Sequence, residues 1–247
     1  MSIFQKVFKK INRRYFDFQP YKKKLGISGI DAQFFYGTRQ AQEWYDPLKP
    51  YALLEYEWVL QNIPLEGEHI ADCGAHHGQY SVVFGAGAKN KGKLLAVDPM
   101  PMNCVLTELN LLLNGLDGRI EQCAVTTEEG DIRFSNQSNG FISDRGALVV
   151  KGKKLSTLMP DATVVKLDIE GHEFVMLPQA LEELPGVHSW IIEVHPSPGR
   201  NPDELAGWLL EKGFTLRWVN RDKNVVEPYR MGTEWHIHST IFATRLE

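Results

Sequence analysis

Along the chain, unbroken apolar runs alternate with longer stretches in which apolar residues recur every three or four positions. The runs at 69–73, 93–98, 119–125, 163–169, 187–194 and 214–219 read as buried strands. The stretches at 52–61, 79–89, 102–114, 172–183 and 203–212 read as helices between them. Strict alternation of this kind predicts an α/β fold, a doubly wound, mostly parallel sheet with helices on both faces. Short strands are also expected at 130–134 and within 146–158, and a last one at about 238–244. Residues 25–50 break the rhythm with Gly26, Gly29, Gly37, Pro47 and Pro50, and read as a linker with short helical turns. Their aromatics, Phe34, Phe35, Trp44 and Tyr45 among them, either dock the segment onto the core or wall a substrate cleft.

Composition narrows the class. With 247 residues, 43% apolar and 23% charged, the chain suits one globular domain with extensions. No apolar run reaches bilayer-spanning length and no signal-peptide core is seen, so a cytoplasmic protein is expected. Cys73, Cys104 and Cys123 lack metal-type spacing and read as buried reduced thiols. Charge is uneven: the net is −4, yet residues 1–24 hold eight Lys/Arg against the single acid Asp17. Phe4, Val7, Phe8, Ile11, Tyr15 and Phe18 line one face of a basic amphipathic helix in that segment. Such a helix packs on its own domain, packs on a second subunit to give a homodimer, or lies through residues 1–18 on an anionic inner-membrane surface. Nucleic acid is disfavoured, because the body is acidic and carries no binding motif. The expected division is a basic extension and linker over 1–50 and one domain over 51–247.

The chemistry gathers where strands end. His69–Ser81, HIADCGAHHGQYS, is a short strand, a glycine turn and a helix start. Glycine lets backbone approach a ligand, and a helix N-terminus presents free N–H groups. The letters D-x-G-A-x-x-G are not the dinucleotide fingerprint, since Asp72 stands where that pattern has its first glycine. An acid there repels a pyrophosphate and suits a cation, which points to S-adenosylmethionine with its sulfonium and α-ammonium. The next strand ends in Asp98, 24 residues after Gly74, placed to accept the hydroxyls of a ribose.

Four blocks, IADCGAHHGQYSVVF, VDPMPMNCVLTELNLLLNG, VVKLDIEGHEFVML and IIEVHPSP, occur in the order seen in FkbM-type methyltransferases, and the sequence resembles that family. The resemblance covers roughly residues 53–195. It implies a class I, Rossmann-like methyltransferase sheet of seven strands, the last running antiparallel between the fifth and sixth. It also implies S-adenosylmethionine as cofactor and a hydroxyl of a carbohydrate or polyketide-like small molecule as acceptor. Asp98 stands where the family often has Glu, and either bridges a ribose.

Ligands of open α/β sheets bind outside the carboxyl ends of the strands. The expected cofactor residues are therefore Asp72, Gly74, Ala75, Gly78 and Tyr80 at the first tip, Asp98 at the second and Ala124 at the third. Lys166, Asp168 and Glu170 alternate onto one side of the fourth strand. Asp168 and Glu170 are candidate catalytic acids, able to face the sulfonium or hold an acceptor hydroxyl, while Glu173 suits the first turn of the next helix. His195, on the side of Glu193 at the fifth tip, is the candidate general base, with loss of rate expected below roughly pH 6–7. His76 and His77 read as structural. His236 and His238 share a strand face near the pocket, and 220–235 reads as a lid. A metal on Asp168, His195 and His238 is disfavoured, because magnesium prefers oxygen ligands. Two other classes compete: a nicotinamide oxidoreductase, opposed by Asp72, and a non-catalytic scaffold, opposed by the acids at 168 and 170 with His195.

Overall fold

A computed structural model describes residues 18–135, 140–195, 200–235 and 238–245. The chain enters through a hairpin, β1 (Tyr21–Lys24) paired antiparallel with β2 (Gln33–Tyr36), then α1 (Arg39–Tyr45) and α2 (Pro50–Asn62). The main sheet follows: β3 (His69–Cys73), α3 (Gln79–Gly87), β4 (Lys93–Val97), α4 (Pro101–Leu113) and β5 (Arg119–Glu121). A small sheet interrupts it, made of β6 (Ala124–Val125), β7 (Gly130–Phe134) and β8 (Leu148–Lys153). The main sheet resumes after α5 (Leu155–Leu158) with β9 (Val164–Leu167), α6 (Glu173–Glu183), β10 (Ser189–Val194) and α7 (Pro202–Glu211). It closes with β11 (Thr215–Asn220), β12 (Val225–Pro228) and β13 (Ser239–Thr244).

The strand order is β12-β11-β13-β10-β9-β3-β4-β5, with β13 antiparallel to both its neighbours. That placement of the last strand is the expected one. The sheet has eight strands where seven were expected. The extra strand is β12, inside the stretch read as a lid, where Val225 and Val226 return along β11 in a hairpin. The expected strand over 119–125 divides in two. At Cys123 a tight turn, with its N–H donating to Glu121 O, sends Ala124 and Val125 into the small sheet.

Register aligns the strand tips. Cys73 lies opposite both Val97 and Leu167, and Ile192 lies opposite Leu167. The loops after β3, β4, β9 and β10 therefore open at one edge. The sheet is buried on both faces. One core holds Leu177, Trp190, Ile192 and Leu205, and the other holds Phe34, Val59, Val82, Phe84 and Phe242. Residues 18–50 belong to this second core, into which Phe34, Tyr36 and Tyr45 dock, while Trp44 stays exposed. The hairpin escaped the sequence because Lys22, Lys23 and Lys24 are exposed on its edge, while Phe34 and Tyr36 alone carry its buried face. The face of the basic amphipathic helix, Phe18 excepted, and His236 lie outside the described residues. Among the described residues no helix is long and apolar enough to cross a membrane.

Candidate active site

A cavity of about 520 Å³ opens at the aligned tips. At one end stand Gly74, Ala75, His76, Asp98, Pro99 and Ala124. At the other stand Tyr51, Glu55, Glu170, His195, Arg221 and His238. Lys166 and Asp168, from β9 and its tip between β3 and β10 in the sheet, line the same space.

The first end is built from backbone. Gly74 (φ +78) must be glycine, because a Cβ there would meet the Asp168 carbonyl oxygen at 1.7 Å. His76 also adopts a left-handed conformation (φ 49) and directs its N–H to Asp98 Oδ2 at 2.9 Å. Asp98 Oδ1 accepts from Met100 N–H at 2.8 Å and from the Asn103 amide at 3.0 Å. Burial nonetheless pushes the Asp98 carboxyl up to about 7, against those three donors. Helix α4 clamps the turn from below. Thr107 donates to His76 O at 3.0 Å and Asn110 to His77 O at 2.9 Å, so asparagine and threonine at helical spacing hold a loop that has no strand ladder. Above the turn, the rings of Trp44 and His77 stack on His76, and Tyr45 Oη lies 2.6 Å from its Nδ1. Burial and His77 hold the imidazole of His76 down at about 3, so it is neutral.

Two expected cofactor residues stand outside the cavity lining. Asp72 is fully buried beneath the turn, where it accepts from Ser81 Oγ at 2.6 Å and faces Lys166 Nζ at 3.6 Å. Its carboxylate faces a lysine of the neighbouring strand. Gly78 caps α3 in a left-handed conformation (φ +80), and a Cβ there would strike Thr107 Cγ2 at 2.7 Å; its smallness serves packing against α4. Tyr80 does line the cavity, but its hydroxyl donates to Glu55 Oε2 at 3.0 Å and its ring lies under Lys166 Nζ.

The second end is a web of carboxylates around three cations. Lys166 lies between Asp72 and Asp168, 3.2 Å from Asp168 Oδ2. Burial acts to lower its pKa, and the charges of Asp168 and Asp72 outweigh that and raise it. Arg221 contacts Glu193 at 3.0 Å and Glu55 at 3.5 Å, with its guanidinium 4.0 Å above the Tyr51 ring. Burial, then Asp168 and Glu55, push Glu193 up to about 8. His195 is the third. Its Nδ1 lies 3.3 Å from Glu173 Oε1, and its Nε2 lies 3.9 Å from Asp168 and 3.7 Å from Glu170. Burial pulls the imidazole down, but the Glu173 bond and the charges of Asp168, Glu173 and Glu193 outweigh it and hold it up at about 9.

The expected trio Asp168, Glu170 and His195 is thus assembled. One donor atom from each lies within 4.8 Å of the others, a spacing that would suit a divalent cation. His238 points elsewhere, with its Nε2 3.3 Å from Glu193 and its pKa lowered to about 4 by burial and Arg221. Sequence reasoning missed Glu55 as a site residue and placed Arg221 in a lid. A signal existed for the first. Glu55 shares the helical stripe of Ala52, Tyr56 and Val59, and an acid on a buried stripe needs a cation.

The FkbM methyltransferase domain model matches residues 72–216. The chain is 31% identical over 114 residues to the hexuronic acid methyltransferase AglP of Haloferax volcanii, across 41% of this chain and 47% of that protein. It therefore spans about half the length of the curated relative it matches. Among solved structures, magnesium protoporphyrin IX methyltransferase from Synechocystis PCC 6803, with S-adenosylmethionine bound, covers 97% of this chain and 91% of its own at 13% identity and a TM-score of 0.49. An S-adenosylmethionine-dependent O-methyltransferase from Thermotoga maritima covers 78% and 64% at 18% identity and a TM-score of 0.48.

Proposed function

The chain belongs to the FkbM methyltransferase family and carries its S-adenosylmethionine-dependent domain, and from that premise we propose that it methylates a hydroxyl of a carbohydrate or polyketide-like small molecule. The observation that carries this reading is one cavity with two unlike ends. The end with Gly74, Asp98 and Ala124 suits adenosine: backbone for the base, a carboxylate for the ribose. The methionine part then runs past Gly74 toward Asp168, the acid of the pair 72/168 that reaches the cavity. This brings the methyl group to the Glu170 and His195 end. The hexuronic acid methyltransferase among the relatives supports a sugar as acceptor.

In the reaction, an acceptor oxygen attacks the methyl carbon in line with sulfur. The carbon–oxygen bond forms as the carbon–sulfur bond breaks, and the electron pair passes to sulfur, leaving a neutral thioether. The hydroxyl proton goes to His195 Nε2. A base of this kind is worth roughly two to four powers of ten, and alignment of oxygen, methyl and sulfur supplies much of the rest. With its pKa held near 9, His195 is protonated in the unliganded protein at neutral pH. Bound S-adenosylmethionine would supply the electrophilic methyl group, and its positive charge would favour loss of the proton from His195.

The test is incubation with methyl-labelled S-adenosylmethionine and fractionated cell-envelope glycans, read by mass spectrometry. Label on a sugar oxygen is the expected result. Label found only on nitrogen, or only on protein, would overturn the acceptor class.

A further inference from the structure

Glu173 is the first residue of α6 and its side chain is entirely buried. Its Oε1 accepts the Ile169 N–H at 2.9 Å and lies 3.3 Å from His195 Nδ1, while Oε2 has no hydrogen-bond partner among the described residues. As a cap on the 168–172 loop alone this is a poor choice. A serine or an amide would accept the same N–H, whereas a buried carboxylate is costly without a charged or strongly polar donor. The imidazole of His195 is that donor.

Every other described group around His195 leaves this bond intact. Asp168 Oδ1 and Glu170 Oε2 stand 3.9 and 3.7 Å from Nε2, outside hydrogen-bond distance. His238 stacks on the ring at 5.5 Å and 16°, which fixes its plane but not its rotation within that plane. Glu193 acts through its charge, and Arg221 holds it from the far side. Among the described residues, only Glu173 is within hydrogen-bond distance of a ring nitrogen of His195 and so decides which nitrogen faces inward.

We propose that Glu173 is the positioning residue of His195: it accepts the Nδ1–H bond and so selects the tautomer whose Nε2 lone pair faces the acceptor end of the cavity. This rests on the reading of His195 as base. The proton taken from the acceptor goes to Nε2, the Nδ1 proton stays in place, and Glu173 stabilises the imidazolium that results. The same carboxylate–imidazole logic orients bases on unrelated folds.

The experiment reads the protein without any acceptor. Long-range nitrogen–proton NMR of the full chain labelled with ¹⁵N-histidine, titrated from pH 5 to pH 10, reports the tautomer and pKa of each histidine, with H195Q as the assignment control. In the wild type, neutral His195 is expected as the Nδ1–H tautomer. In E173Q, which keeps an acceptor for Ile169 N–H but loses the charge, the His195 pKa should fall by about one to three pH units and the tautomer should become mixed. S-adenosylhomocysteine affinity by calorimetry should be unchanged. A wild-type Nε2–H tautomer, or a folded E173Q with the pKa and tautomer of the wild type, would overturn the proposal. If E173Q does not fold, the wild-type tautomer decides by itself. Labelling experiments that find no sugar methylation while NMR finds the dyad would sink the acceptor class and leave Glu173 in its role.

Discussion

The end of the cavity proposed for adenosine and the end proposed for the acceptor solve the same electrostatic problem with different means. At the adenosine end, the buried carboxylate of Asp98 is held by two backbone N–H groups and one amide, all within residues 76–103. At the acceptor end, Glu55 and Glu193 share Arg221 while Asp168 pairs with Lys166, through side chains drawn from four distant segments. A backbone donor comes with the turn that makes it. An ion pair between remote segments exists only once the sheet has assembled. The first end is local in sequence and the second is a property of the tertiary fold.

Gly74 is where the two ends touch, and it offers the largest perturbation. Gly74→Ala would drive a Cβ to 1.7 Å from the Asp168 carbonyl and impose a left-handed conformation on alanine. Backbone must move, so both ends should fail together, with a loss on the order of 4 kcal/mol or more. Urea denaturation and calorimetry with S-adenosylhomocysteine check this. A stable variant that still binds would show that the ends are independent.

This division also explains what the sequence made legible. The glycine turn, Asp98 and the strand–helix alternation rest on local signals, such as positive-φ glycines and period, and they appear in place. Asp72 has a partner that the sequence does not reveal: Lys166 arrives from β9, opposite Asp72 in register. A lysine 94 residues away cannot be paired with an acid by spacing. The same holds for Glu55 and Arg221, 166 residues apart. The strand over 119–125 failed for a smaller reason, since one tight turn at Cys123 diverts a continuous apolar run into another sheet. The count of seven strands failed because β12 has only Val225 and Val226 to declare it among polar neighbours.

The second perturbation isolates the acceptor end. His195→Ala should lower turnover on the order of a hundredfold, with cofactor affinity nearly unchanged. His238→Ala, as control, should cost far less, because its Nε2 is engaged with Glu193. The pH profile sharpens the comparison. A base must be unprotonated, and the carboxylates around His195 hold it up at about 9. The rate should therefore keep rising with pH through neutrality toward about 9, and not level off above 6–7 as an unperturbed imidazole would dictate. A profile flat from pH 7 upward would mean that bound cofactor has already neutralised the cluster.

The smallest effect is expected at the adenosine end, from Asp98. Each carboxylate oxygen accepts about two hydrogen bonds. Oδ1 is filled by Met100 and Asn103, whereas Oδ2 takes only His76 N–H among the contacts described. One strong bond to a ribose hydroxyl is left, not the two that the sequence suggested. Asp98→Ala should then weaken S-adenosylhomocysteine binding by about 1.5–3 kcal/mol, roughly tenfold to a hundredfold, measured by calorimetry. The pH dependence has a definite sign. Burial raises the Asp98 carboxyl to about 7, and a hydroxyl donor favours its ionised form, so affinity should rise as pH climbs through 7. Asp98→Asn cannot ionise and should remove that rise while keeping an oxygen for the His76 N–H. If Asp98→Asn retains the wild-type pH dependence, the titrating group lies elsewhere in the cavity, and the backbone-held end is less self-contained than its hydrogen bonds imply.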